Sequence, residues 1–195
     1  HRVDRRQRQM CIRDRADFNQ KDTFNEVIKC ITTAFKRLDV LVNNASDFFS
    51  TEATAFTEDD YNKLFNSNVK GPLFLSKACF PLLNKSHGNI INLVDIHADK
   101  PLKNYPLYSM AKAANKMMVK SLAKEFAPYI RVNGISPGYI QDPIDGKQIS
   151  SDIQSRIALN KKGEPKNIYQ TIKYIIENDY LTGQIIKVDG GRSLN

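Results

Sequence analysis

The chain has 195 residues, 41% of them hydrophobic, which is enough for one sizeable core and excludes a disordered chain. Its formal charge of +8 raises nucleic acid as a partner, but the first fifteen residues, HRVDRRQRQMCIRDR, hold six Arg and two Asp, half of that excess. The remainder is spread over the chain without a basic stripe or interleaved aromatic residues, so nucleic-acid binding is set aside.

Those first fifteen residues lack hydrophobic periodicity and read as a tail outside the fold, either non-native or disordered. From Ala16 the signals alternate. In DTFNEVIKCITTAFKRL the residues Phe24, Val27, Ile28, Ile31 and Phe35 repeat at helical spacing. DVLVNNA reads as a buried strand. Thr57 is placed to cap a helix whose first turn carries Glu58, Asp59 and Asp60, a favourable sign next to the positive end of the helix dipole. A helical pattern resumes through NVKGPLFLSKACFPLLNK, and SHG stops it before the strand NIINLV. A helix is expected from about Tyr108 to Phe126, then IRVNGI as a strand and an irregular segment from Ser136. Helices around Asp152 to Leu159 and Lys166 to Glu177 precede a last strand, QIIKV.

Strands that are apolar on both faces and joined through helices imply an α/β fold, a doubly wound, Rossmann-like parallel sheet covered on both sides. Ligands in such a sheet bind beyond the carboxyl ends of the strands. NNAS, Asp95, SPG and DGG all fall at strand ends. Each alone is ordinary turn chemistry, but together they mark one side of the sheet as a site.

Tyr108 stands four residues ahead of Lys112 and thirteen after Asp95. On a helix the i and i+4 side chains share a face, so the phenol and the ammonium can both point toward Asp95. An ammonium close to a phenol favours the phenolate, and the spacing therefore predicts a tyrosine with a lowered pKa that moves a proton near neutrality. His87 and His97 lack a partner at motif spacing and read as loop residues. Cys11, Cys30 and Cys79 are odd in number and widely spaced, which suggests neither a disulfide framework nor a metal site and fits a reducing cytoplasm. No apolar run approaches the about 18 residues that cross a bilayer, so no membrane partner is expected.

From Ala16 to Asn195 the chain resembles the short-chain dehydrogenase/reductase family, through the Tyr-x-x-x-Lys pair, the polar residue thirteen positions earlier and NSNVKG. The resemblance implies that Tyr108 donates the proton, that Lys112 holds the nicotinamide ribose and tunes Tyr108, and that Asn68 anchors a proton-relay water. It implies further that Asn43, Asn44 and Ala45 shape the cofactor floor, that Pro137, Gly138 and Ile140 border the nicotinamide, and that Asp17 touches the adenine. The family's first strands and glycine-rich turn are missing before Ala16, so residues 16–195 read as the C-terminal catalytic portion of a single domain. That fragment is expected to be inactive by itself.

Most family members carry Ser where this chain has Asp95, and a carboxylate there resembles the pteridine reductases and dihydromonapterin reductases. NNASDFF is similar to that branch too. Ser46 would bond the pterin and cofactor, and Phe48 would stack the pterin against the nicotinamide, with Asp95 and Tyr108 completing the substrate site. The expected function is NADPH-dependent reduction of a dihydropterin, with NADH left open. The first alternative is a general carbonyl reductase such as a 3-oxoacyl carrier-protein reductase; the second is a non-catalytic Rossmann-like binding protein or inactive fragment. The resemblance also implies a homo-oligomer, a tetramer.

Overall fold

The structure, a computed structural model, describes residues 23–141 and 151–195. Helix α1 (Thr23–Ala34) leads into strand β1 (Val40–Asn43). Helix α2 (Glu58–Phe65), a π turn (Asn66–Lys70) and helix α3 (Gly71–Ser86) carry the chain to strand β2 (Asn89–Leu93). A short 3-10 turn (Ile96–Ala98) and helix α4 (Pro106–Phe126) connect to strand β3 (Arg131–Pro137). Helices α5 (Ser151–Ser155) and α6 (Pro165–Glu177) then precede strand β4 (Ile185–Val188).

All pairings are parallel and the four-stranded sheet runs in the order β1-β2-β3-β4, so the expected doubly wound α/β fold is the one found. Its central strands are buried on both faces for a reason visible in β2 and the residue after it. Ile90 and Val94 pack with Cys79, Leu83, Val119 and Ala123 from α3 and α4, while Ile91 and Leu93 pack on the opposite face with Ile175 and Ile172 from α6. Successive side chains on a strand point to opposite faces, so a sheet covered twice is apolar on both, and the two asparagines of β2, Asn89 and Asn92, are buried with Nδ2 donating to the Ile175 carbonyl and to Asn115 Oδ1.

Helix boundaries follow local chemistry. Thr57 and Asp60 form the expected cap of α2: the Asp60 amide donates to Thr57 Oγ1 at 3.2 Å and the Thr57 amide to Asp60 Oδ2 at 2.9 Å. His87 ends α3 in the left-handed conformation, and Gly88 follows because a Cβ there would meet Leu83 Cδ2 at 2.7 Å and the Asp39 carbonyl at 2.8 Å.

Several expected boundaries differ. The first helix stops at Ala34 rather than continuing to Leu38, because Lys36 turns left-handed at φ 57°. The helix carrying Tyr108 begins at Pro106, whose ring presets the first helical turn. β3 extends through Ser136 and Pro137, which the sequence reading gave to an irregular segment, because both pair with β4 at Lys187 and Val188. α5 ends at Ser155 instead of Leu159; beyond it the Leu159 amide donates to the Gly190 carbonyl, tying that stretch to the end of the chain. The π turn at Asn66–Lys70 has no counterpart in the sequence reading. Asp17 and residues 1–15 lie outside the described residues, as does most of the expected irregular segment.

Candidate active site

The carboxyl ends of β1, β2 and β3 and the start of α4 bring most of the expected residues together. Asp95 follows β2 with extended backbone and caps the 3-10 turn, its Oδ1 accepting from the His97 amide at 2.8 Å. Its other oxygen, Oδ2, accepts from the Tyr108 hydroxyl at 2.8 Å. The capping role and the contact with Tyr108 are thus both present, one on each carboxylate oxygen.

Tyr108 is buried, and its pKa is pushed well up, first by burial and then by the adjacent Asp95 carboxylate and the hydrogen bond to it. The Ser46 hydroxyl acts weakly in the opposite sense. This reverses the expected lowering by Lys112. The lysine is on the expected face of α4, but its Nζ donates to the Leu93 carbonyl at 3.0 Å and lies 5.6 Å from the centroid of the Tyr108 ring, so its charge serves the strand and not the phenolic oxygen. Burial pulls Lys112 itself down to about 8, with Asp95 opposing.

Asn68 lies in the π turn, fully buried. Its Oδ1 accepts from Ser46 Oγ at 2.7 Å, while Nδ2 donates to the Leu64 and Asp47 carbonyls, both at 3.0 Å, and contacts Ser67 Oγ at 3.1 Å. The side chain therefore ties the loop after β1 to α2, and the capacity left to it for a water is one lone pair on Oδ1. Asn43 is buried at the end of β1, where Nδ2 donates to Asn92 Oδ1 at 2.8 Å and to Ser76 Oγ at 3.2 Å; it faces the interior. Asn44, Ala45 and Ser46 are exposed beyond it.

Phe48 and Phe49 diverge. Phe49 packs against the core cluster of Leu64, Leu107 and Tyr108, whereas Phe48 is 51% exposed. The Phe48 ring stacks on Tyr105 with centroids 4.7 Å apart and planes 10° apart, and meets the Tyr108 ring edge-on at 4.8 Å. Pro137, Gly138 and Ile140 are partly buried at the end of β3. The Gly138 amide donates to the Val188 carbonyl at 3.0 Å, and a Cβ on Gly138 would sit 2.6 Å from Asp189 Cα, so the β3 and β4 ends approach closely only because this residue is glycine.

Tyr105, Asn92 and Asn115 are at the site and were absent from the sequence reading. The usable signals were an asparagine inside the apolar run NIINLV and a second asparagine three residues after Lys112, which keeps it on the Tyr108 face of α4.

The chain is similar to known proteins. Residues 5–193 match the family described as enoyl-(acyl carrier protein) reductase. The chain is 33% identical over 181 residues to the 3-oxoacyl-[acyl-carrier-protein] reductase FabG of Thermotoga maritima, covering 88% of this chain and 72% of that protein. It is 28% identical over 191 residues to a chloroplastic tropinone reductase homolog of Arabidopsis thaliana, covering 93% of this chain and 59% of that relative. The solved structure of an apo SCOR enzyme from Clostridium thermocellum superposes with a TM-score of 0.84 at 27% identity, over 92% of this chain and 72% of the other.

The chain belongs to the short-chain dehydrogenase/reductase family, an oxidoreductase family that works with NAD(P)H. These relatives fit the 3-oxoacyl reductase alternative better than the pterin reading. No helix among the described residues is long and apolar enough to cross a membrane.

Proposed function

We propose that the protein reduces a carbonyl group with NAD(P)H, the 3-oxoacyl thioester being the substrate class that its named relatives favour. The observation that carries this reading is the Tyr108 hydroxyl, held in its protonated form at the end of the sheet and 2.8 Å from Asp95, on the same helical face as Lys112. The polar groups at the strand ends fit a nicotinamide nucleotide: Asn44, Ala45 and Ser46 are exposed there, and the buried Lys112 cation has one protein carbonyl for its three donors. Asn44, Ala45, Ser46, Pro137, Gly138 and Ile140 would line that nucleotide, with Tyr108 and Lys112 toward its ribose and Asn43 supporting the floor from within. When bound, the cofactor supplies the hydride.

The chain's own residues then handle the proton. A developing alkoxide is a far stronger base than a carboxylate, so the Tyr108 hydroxyl can turn from Asp95 to the substrate oxygen although its pKa is raised. Asp95 holds that proton in place beforehand, and the Ser46 oxygen, its one hydrogen given to Asn68 Oδ1, presents its lone pairs to the turning hydroxyl. Asn68 keeps Ser46 where this requires.

A second reading, reduction of a dihydropterin with NADPH, is favoured by Phe48. This half-exposed ring beside Tyr105 and Tyr108 offers a flat heterocycle a stacking face, and Asp95 places a carboxylate where a basic ring nitrogen needs a proton. In either reading residues 16–195 are the catalytic portion of one domain, acting in the cytoplasm as a homo-oligomer, a tetramer by family resemblance. The test is NADPH and NADH oxidation by the full-length protein with an acetoacetyl thioester and with a dihydropterin. Turnover of the thioester supports the first reading. Turnover confined to the dihydropterin transfers the assignment to the second, and turnover of neither overturns both.

A further inference from the structure

A line of buried asparagines crosses the fold beneath the site. Asn43 Nδ2 on β1 donates to Asn92 Oδ1 on β2 at 2.8 Å; Asn92 Nδ2 donates to Asn115 Oδ1 on α4 at 3.1 Å; Asn115 Nδ2 donates to the Asn68 main-chain carbonyl in the π turn at 2.7 Å. Asn43, Asn68, Asn92 and Asn115 are all at least nine-tenths buried. Each amide hands its donor to the next acceptor, so the chain has one direction and one end, the Asn68 carbonyl.

That end is not an ordinary place in a helix. A π turn moves the backbone bonds from i−4 to i−5, and Pro72, four residues after Asn68, has no amide hydrogen to give, so the Asn68 carbonyl is open to a donor from elsewhere. Asn115 provides it to Asn68, whose side chain in turn holds Ser46 Oγ at 2.7 Å and the Asp47 carbonyl at 3.0 Å. Two residues on from Ser46, the Phe48 ring meets the Tyr108 ring edge-on at 4.8 Å, so this loop borders Tyr108. A buried unpaired amide is costly and an apolar residue would pack at position 115 without that cost, so its burial here requires a return.

We infer that Asn115 is a positioning residue for the reaction: through the Asn68 carbonyl it fixes the π turn, and so the loop of Ser46, Asp47 and Phe48 that borders Tyr108. This rests on the reductase reading of the site. Asn115→Leu removes both hydrogen bonds. Asn115→Asp keeps the acceptor for Asn92 and places a carboxylate against the Asn68 carbonyl, while its protonated form, favoured by burial as pH falls, restores a donor.

In the full-length enzyme, with whichever of the acetoacetyl thioester and dihydropterin the wild type reduces, both variants should lose kcat by about tenfold or more, since misplacement by about 1 Å can cost about 100-fold. KM for NADPH should be little changed, and below pH 8, where Lys112 is charged in both, the Asn115→Asp variant should regain kcat relative to the wild type as pH falls. If Asn115→Leu fails to fold, Asn115→Asp carries the test. A folded variant with wild-type kcat and pH profile overturns the inference. A wild type that reduces neither substrate sinks the functional reading instead; the crystal structure of Asn115→Asp at alkaline pH then decides, because an unmoved Asn68 and Ser46 would overturn the positioning role and their displacement would support it.

Discussion

The Tyr108 hydroxyl donates to Asp95 Oδ2 across 2.8 Å, and the same carboxylate is anchored through Oδ1 by the His97 amide. The phenol is thereby held as an acid and not as a phenolate, because burial and the neighbouring negative charge both raise its pKa. Proton donation then depends on the substrate oxygen drawing the hydroxyl away from Asp95.

Tyr108→Phe deletes that proton and keeps the packing of the ring against Leu64, Leu107 and Phe49. Turnover should fall by a factor of about 100 or more, as expected when a general acid is lost, with NAD(P)H affinity little changed. Near-normal steady-state turnover would remove Tyr108 from the chemistry.

Lys112 sets the expected alkaline limit. Its pKa is lowered to about 8 by burial, whereas Tyr108 keeps its proton far into the alkaline range. The kcat/KM profile should therefore decline above pH 8 as the Lys112 cation is lost. Stability moves the other way: a lysine whose folded pKa lies below its unfolded value binds fewer protons when folded, so its contribution improves as pH rises between about 8 and about 10.4. Lys112→Met should abolish activity while raising the melting temperature, and a lower melting temperature would mean that the bond to the Leu93 carbonyl outweighs the buried charge.

The fold was legible because the apolar runs of β2 and β3 admit one physical solution, burial on both faces, and because Thr57, Asp60 and Gly88 punctuate the chain with local chemistry. That Tyr108, Lys112 and Asp95 come together was legible from their spacing only with the polar groups at the neighbouring strand ends. The direction of the Tyr108 pKa was not, since it depends on where Nζ of Lys112 ends up, and the Leu93 carbonyl that captures it belongs to another element. Asn115 was hidden for the same reason: its partners lie 23 and 47 residues away in sequence. A pattern read at helical or strand period carries no such distance information.

Arg131 offers a test of how the sheet holds α6. Its guanidinium donates to the Ile175, Ile176, Asn178 and Leu181 carbonyls at 2.9–3.1 Å, closing the C-terminal end of that helix. Arg131→Lys should destabilise the fold by about 2 kcal/mol or more, because a single ammonium cannot reproduce the planar fork and hydrogen bonds to charged groups contribute about 1.5–3 kcal/mol each. Urea denaturation monitored by circular dichroism reads this directly, and an unchanged midpoint would show that α6 is held by its apolar face alone.

Phe48→Ala separates packing from recognition. The ring is half exposed, so its removal should change the melting temperature little, while it takes away the face beside Tyr105 and Tyr108. For a dihydropterin, KM should rise several-fold with KM for NAD(P)H unaltered, since an aromatic pair contributes about 0.5–1.5 kcal/mol beyond its buried area. A 3-oxoacyl thioester, which presents no flat ring, should show a smaller effect. Equal changes for cofactor and substrate would mean that Phe48 shapes the loop and recognises neither.

Asp95→Ser is the substitution that divides the two readings of the substrate. A serine hydroxyl can still cap the His97 amide, so the 3-10 turn should survive and the melting temperature should stay close to wild type. What disappears is the carboxylate that raises the Tyr108 pKa and holds its proton. For a carbonyl substrate this is a gain: Tyr108 becomes a stronger acid, the serine hydroxyl can donate to the same oxygen, and thioester turnover should be kept or increased. For a dihydropterin it is a loss, because the ring nitrogen then lacks the acid that a carboxyl group can supply when protonated, and turnover should fall by about tenfold or more. The two rates measured side by side on one preparation give the answer. Retained dihydropterin reduction in Asp95→Ser would end the special role of the carboxylate, and loss of thioester reduction in the same variant would show that carbonyl chemistry here depends on Asp95 after all.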